Sequence, residues 1–232
     1  MGGSMVIGNT NVCAVLTGDI VGSTKLSSED RQLLRRVLYS ASEKISQYFS
    51  ECVPYKLDVF RGDSWQFVVS EPSKSLRIGL FFRALIREGI VSKRVDTRIS
   101  IGLGTVSFIP ANDISSGDGE AFQLSGEALE QFSRSTRLKI IFPRRYQSPT
   151  TEAIDVIVNL IDLQVRKWTM KQAKATSGAM LEFTQEEIAS KWFDQEITQQ
   201  AIAQHLDRAG WSTIEQGVRY FESSIPGVMG PA

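Results

Sequence analysis

The feature that most constrains this chain is the order in which strand and helix periodicities alternate over its first 142 residues. Residues 12–16 are a short apolar run that stops in Thr17-Gly18-Asp19, the pattern of a buried strand reaching a loop. Leu34, Val37, Leu38, Ala41, Ile45, Tyr48 and Phe49 then recur at helical spacing. Ser27 stands ahead of them as a candidate N-cap, with Glu29 and Asp30 placed to favour a helix start. Residues 55–60 and 65–69 are β-rich runs separated by a tight Gly62-Asp63 turn, which is a hairpin signal. Residues 76–90 predict a second, well-covered helix. Residues 97–106 predict a strand in which Gly102 and Gly104 admit a close backbone approach. A helix carrying Ala121, Leu124, Ala128, Leu129 and Phe132, and a short strand at 138–142, complete the series. The order β-α-β-β-α-β, extended by one helix and one strand, predicts an α+β, split βαβ (ferredoxin-like) fold.

Pro143 and Pro149 bracket a change of character, beyond which everything reads helical. The expected division is a disordered tail at 1–11, an α+β domain at 12–146, a helical domain at 147–224 and a disordered tail at 225–232. In the helical part, residues 152–168 form a long helix, small residues at 173–178 break the pattern, and three short helices follow. Thr184-Gln-Glu-Glu187 and Ser212-Thr-Ile-Glu215 have the form of capping boxes, and Gly210 closes the helix between them. Such punctuation suits a helix-turn-helix whose recognition helix opens at Thr198, Gln199 and Gln200, where glutamines could reach adenine edges of DNA. Residues 166–232 carry 7 Lys+Arg against 8 Asp+Glu, so there is no basic surplus for phosphates. A helical protein-interaction module is therefore the rival reading.

Composition narrows the chemistry. Lys+Arg and Asp+Glu balance at 26 each, which argues against an electrostatic nucleic-acid wrapper. One His and two Cys exclude a zinc centre of the usual His/Cys kind and a disulfide framework, so any metal must rest on carboxylates. No apolar stretch is long enough for a membrane span, and residues 1–5 lack the pattern of a signal peptide. The expected setting is the cytoplasm, with no membrane partner.

Within that frame, Asp19 ends the first strand and Asp63 tips the hairpin, 44 residues apart. A split βαβ sheet sets the first strand beside that hairpin. The two carboxylates, with the backbone carbonyl of Ile20, then form a hard oxygen site suited to Mg²⁺ or Mn²⁺. Gly22, Ser23 and Thr24, just ahead of a helix, offer backbone N–H groups to a triphosphate. On spacing alone, the Gly-Asp pairs serve equally as plain turns and Gly-Ser-Thr as a loop with a cap.

The residues 16–24, Leu-Thr-Gly-Asp-Ile-Val-Gly-Ser-Thr, resemble the first metal motif of class III nucleotidyl cyclases. Residues 59–65, Val-Phe-Arg-Gly-Asp-Ser-Trp, resemble the second. Residues 98–105 and 117–129 resemble that family's following strand and helix more loosely. The resemblance implies a divalent metal at Asp19, Ile20 and Asp63, a nucleoside triphosphate ligand and a homodimer. The chain departs from the pattern where it matters for turnover. Val59 stands where the family carries its purine-selecting Lys, and Gln123 and Glu127 stand where it carries Asn and Arg. With its C-terminal helices, the whole chain is similar to the SatD family of bacterial proteins. That resemblance implies a regulator with a degenerate cyclase-like domain and a DNA-binding helix-turn-helix. The alternatives are an active divergent cyclase using two metals, and an interaction module that binds neither nucleotide nor DNA.

Overall fold

The structure is a computed structural model and describes residues 12–60, 62–90, 95–110, 113–133, 135–192 and 196–230. The expected disorder of residues 1–11 lies outside these. The first half runs β1 (Val12–Ile20), α1 (Ser28–Tyr48), β2 (Asp58–Phe60), β3 (Ser64–Val69), α2 (Ser75–Gly89), β4 (Thr97–Thr105), α3 (Glu120–Glu130) and β5 (Leu138–Ile141). The second half is helical: α4 (Pro149–Val165), α5 (Met170–Met180), α6 (Gln185–Ser190), α7 (Gln199–Ala209) and α8 (Trp211–Met229). The protein is thus α+β, and its mixed five-stranded sheet has the order β2-β3-β1-β4-β5. Strands β1 to β4 pair antiparallel, while β5 joins β4 in parallel. With β1 between β3 and β4, the first six elements have the split βαβ arrangement that the periodicities predict. No helix among the described residues is long and apolar enough to cross a membrane.

Strand alternation divides the sheet into two faces. Ala14, Leu16, Phe67, Val69, Ile99, Ile101 and Leu103 point into the main core, with α1 and α2. Cys13, Val15 and Val68 point the other way, against Ala121 and Phe122 of α3. Gly102 and Gly104 let α3 lie close: a Cβ on Gly102 would stand 2.4 Å from the Ala121 carbonyl oxygen. Gly18 serves the main-core face similarly. Paired with Trp65 in register, it leaves room for an indole whose Nε1–H donates to Thr97 Oγ1 at 2.9 Å. A Cβ at Gly18 would stand 2.1 Å from the Arg98 carbonyl oxygen and 2.3 Å from the Trp65 ring. Gly18→Ala is therefore expected to destabilise by at least about 1–3 kcal/mol through overpacking. Urea unfolding measures the loss, and near-ultraviolet circular dichroism should register a displaced Trp65.

The second half packs partly on the first, and Ala175, Ile188, Trp192 and Ile202 form a small cluster of their own. A single buried cluster extends from Ala14 of β1 to Met229 of α8. Helix α2 joins the halves, and every residue from Ser75 to Arg87 is buried. Near residue 147 the secondary structure turns wholly helical, while the main cluster includes residues on both sides of that point. Three smaller expectations are also corrected. The small residues at 173–178 do not break a helix: Ala173, Ala175, Thr176 and Ser177 are buried in α5. Their size lets α5 lie against its neighbours, and a Cβ on Gly178 would meet Ile188 at 2.7 Å. The tail expected to be disordered from residue 225 continues α8 through Pro226 to Met229, because Ile225 and Met229 are buried. The box at Ser212 does not form: α8 starts after Gly210 without a side-chain cap, and Glu215 instead accepts hydrogen bonds from Arg77. The box at Thr184 does form.

Candidate functional site

The end of β1 carries Asp19 onto the sheet face that α3 covers, by the same alternation that points Val15 and Thr17 there. Asp63 lies in the β2–β3 turn, after Gly62, whose φ of 86° is in the region that favours glycine. The sheet brings the two together. Asp19 pairs with Ser64 in register, and the Ile20 N–H donates to the Asp63 carbonyl at 3.2 Å. The Ser23 hydroxyl donates to Asp63 Oδ2. Asp19, Ile20, Ser23 and Asp63 therefore form one constellation.

Its oxygen-only donor set fits a hard divalent cation in kind, but it is small. Among the described residues, no group of three or more His, Cys, Asp and Glu is placed to hold a metal. An ion would have two carboxylates and backbone carbonyl oxygen. The resident cation at Asp19 is instead Arg98, which faces it across β1 and β4. Arg98 Nε donates to Asp19 Oδ1 at 2.7 Å, and Nη2 donates to Oδ2. This fork holds the guanidinium yet more firmly protonated, above all through the hydrogen bonds to Asp19. Partial burial opposes the effect, and the charges of Asp19 and Asp63 add to it. Arg98 is the site residue that residue-by-residue reading missed. Its signal was register: once β1 and β4 are paired antiparallel, Asp19 and Arg98 fall opposite each other.

One step inside this row, Gln66, Thr17 and Ser100 form a second polar row across β3, β1 and β4. Gln66 Nε2 donates to Thr17 Oγ1 at 2.7 Å, and Thr17 Oγ1 lies 2.8 Å from Ser125 Oγ of α3. Gln66 Oε1 and Ser100 Oγ are buried and make no hydrogen bond. A buried polar atom left so costs about 1–3 kcal/mol.

The expected phosphate loop is partly closed on itself. Gly22 adopts φ 73° and starts a single 3₁₀ turn, Ser23–Lys25. The Lys25 and Leu26 N–H groups donate to the Gly22 and Ser23 carbonyls at 2.9 and 3.1 Å. Gly22 and Thr24 are exposed beside the aspartates, and Ser23 is half-buried with its hydroxyl on Asp63. Helix α1 starts only at Ser28, where Ser27 caps the Asp30 N–H at 3.1 Å.

The remaining expected residues lie apart from the aspartates. Gln123 and Glu127 are exposed on α3, and Gln123 reaches back to Asp118 at 3.4 Å. Thr198 caps α7 by accepting the Ala201 N–H at 3.2 Å, and Gln199 and Gln200 are exposed in its first turn. Helices α6 and α7 pack through Ile188, Trp192 and Ile202. The link between them includes residues 193–195, outside the described residues. Near β5, Arg145 is held by Glu120 at 2.6 Å, and Lys139 sits over the Phe132 ring at 5.6 Å.

No protein-family model and no curated protein matches the chain. Among solved structures, it is similar to one described as the guanylyl cyclase Cya2, at 15% sequence identity and a TM-score of 0.38. That likeness covers 56% of this chain and 74% of the other.

Proposed function

We propose that the protein binds a divalent cation and a nucleotide at a cyclase-like sheet edge and acts as a regulator without efficient cyclase turnover. The observation that carries this reading is the meeting of Asp19, at the end of β1, with Asp63 of the neighbouring hairpin turn, tied by the Ile20 N–H to the Asp63 carbonyl. Those aspartates belong to the two segments that most resemble the metal motifs of class III cyclases. A bound Mg²⁺ or Mn²⁺ would supply charge to hold and polarise phosphate oxygens. The chain's own contribution is the carboxylate pair, the Ile20 carbonyl and the Ser23 hydroxyl that orients Asp63.

Two features support weak or absent turnover. Glu127 stands where the resemblance expects an Arg, and loss of one transition-state donor typically costs on the order of 10²–10³ in rate. A carboxylate at that position further repels a triphosphate. In addition, Arg98 holds both Asp19 oxygens, so a cation must displace its fork before Asp19 can ligate. For the helical half, nothing in the geometry adds to the reading of Gln199 and Gln200 as DNA contacts.

Titration of the pure protein with Mn²⁺, read by electron paramagnetic resonance, tests the proposal. Saturable binding is expected, weakened at least about tenfold in both Asp19→Asn and Asp63→Asn. Arg98→Gln removes the competing cation and is expected to tighten Mn²⁺ by about tenfold, equivalent to about 1.4 kcal/mol. Binding that is absent, or indifferent to all three substitutions, would refute the reading. Cyclic nucleotide formed by the wild type and lost in Asp63→Asn would replace it with an active cyclase.

A further inference from the structure

Helix α4 carries two apolar stripes. One of them, Ile154, Val158, Ile161 and Val165, is buried in the main core. The other, Val156, Leu160 and Leu163, faces outward at 58, 60 and 48% exposure. At positions i, i+4 and i+7 these three line up along the helix. A helix with a single packing partner carries polar residues on its outer side, so an apolar outer stripe marks a second contact. Beside the stripe, α4 and α8 leave a groove of about 660 Å³. Ile157, Leu160, Gln164, Gly217 and Tyr220 are among its walls, and none of the residues lining it is charged. Tyr220, itself exposed, carries the apolar surface across to α8.

The two ends of the stripe carry opposite charge. Glu152, exposed in the first turn of α4, stands four positions before Val156. Lys167, exposed in the turn that closes the helix, stands four positions after Leu163. The pattern Glu152, Val156, Leu160, Leu163, Lys167 is therefore nearly symmetric in spacing and antisymmetric in charge. Such a surface is complementary to itself. Laid antiparallel about a twofold axis between Asn159 and Leu160, it sets Val156 against Leu163 of the second copy and Glu152 against Lys167 of that copy. Leu160 then lies at the axis. The opposed helix macrodipoles favour the same sense of packing. A parallel pairing would instead place Glu152 against Glu152 and Lys167 against Lys167, which like charges oppose.

We propose that a second copy of this chain docks on this face, α4 against α4 in antiparallel sense, with the apolar stripe at the centre and a Glu152–Lys167 contact at each end. One stripe and one flanking groove make a contact at the small end of stable interfaces, so the dissociation constant is expected in the micromolar range. None of Asp19, Asp63 and Arg98 lies on α4 or α8, so the inference does not rest on the proposed cation site.

Sedimentation velocity of the full chain tests it, run over a hundredfold range of concentration at about 50 mM salt, where exposed charges are weakly screened. A monomer–dimer equilibrium is expected. Leu160→Asp should raise its dissociation constant at least tenfold while far-ultraviolet circular dichroism stays unchanged, because the residue is largely exposed in the single chain. Glu152→Lys and Lys167→Glu should each weaken the dimer by about fivefold, since the twofold axis repeats each contact. The double variant E152K/K167E, which exchanges the charges, should restore it. Four results would overturn the proposal: a monomer at every concentration, a dimer indifferent to Leu160→Asp, single charge variants without effect, or a double variant no tighter than the single ones. Binding of a monomeric protein to phosphatidylcholine vesicles, lost in Leu160→Asp, would overturn it as well and assign the face to a lipid surface.

Discussion

Replacing Arg83 with Met is expected to destabilise the protein by about 3–5 kcal/mol, the usual consequence of removing one partner from a buried charge cluster. Arg83 is 0% exposed on a helix buried on all sides. Its Nε and Nη2 donate to the two oxygens of Asp96 at 2.8 Å each, and Nη1 donates to Asp162 Oδ1 at 2.7 Å. The guanidinium thus ties α2, the entry to β4 and α4 into one node. Asp162 Oδ2 extends it by accepting the Arg137 N–H at 2.9 Å, ahead of β5. Without Arg83, Asp162 loses the ion pair that the interior offers it at Oδ1. Arg83→Lys is expected to restore little, because an ammonium cannot reproduce a planar fork that serves three oxygens. Urea unfolding of the wild type and both variants checks this, and a loss below about 1 kcal/mol would mean the charges do not act as a unit.

The same node gives a pH dependence of definite sign. Burial alone would raise the Asp96 carboxyl, but the charges and hydrogen bonds of Arg83, with Arg87, outweigh it and hold it below its ordinary 3.8. A depressed folded-state value stabilises fully above the unfolded value, and that stability is lost as pH falls through the folded one. The acid-unfolding limb should therefore begin near pH 4 and flatten in Arg83→Met.

The second large effect is expected at Arg77, which fastens α8 to α2. Its Nε donates to Glu222 Oε1 at 2.7 Å, and its Nη1 and Nη2 reach Glu215 at 3.2 and 3.1 Å. The two glutamates lie seven residues apart, on one side of α8. Burial opposes ionisation of Glu222, but the hydrogen bonds and charge of Arg77 prevail and hold its carboxyl low. Arg77→Ala leaves two largely buried carboxylates facing each other, with Lys74 and Arg219 as partial substitutes at 3.5 and 2.8 Å. The expected loss is about 3 kcal/mol, at the lower end for a broken buried pair because of those substitutes. Hydrogen exchange should locate it in α8, where amide protection falls more than in the sheet. Uniform loss across both would show that α8 does not open independently.

Much of the fold was legible in the sequence because short-range chemistry sets it. Ser27 with Glu29 and Asp30 marks the start of α1, and Gly62-Asp63 marks the hairpin, through interactions between residues near in the chain. The two aspartates of the candidate site were legible for the same reason, since one ends a recognisable strand and the other lies in a recognisable hairpin turn. Small residues misled, as in α5, because close packing and helix breaking draw on the same residue types. The partners of Arg77, Arg83 and Arg87 carried no local signal, because they lie 9 to 145 positions away.

What the sequence determined by itself was the succession of strands and helices and the placing of Asp19 at a strand end and Asp63 in the hairpin turn. Only the tertiary structure decided that Arg98 occupies Asp19, that lysines from α1, α5 and the end of α6 collect in one groove, and that α4, α5 and α8 share the core of the sheet. The physical reason is that periodicity and caps act over a few residues, whereas charge pairing and desolvation act through space between segments whose meeting no local pattern records.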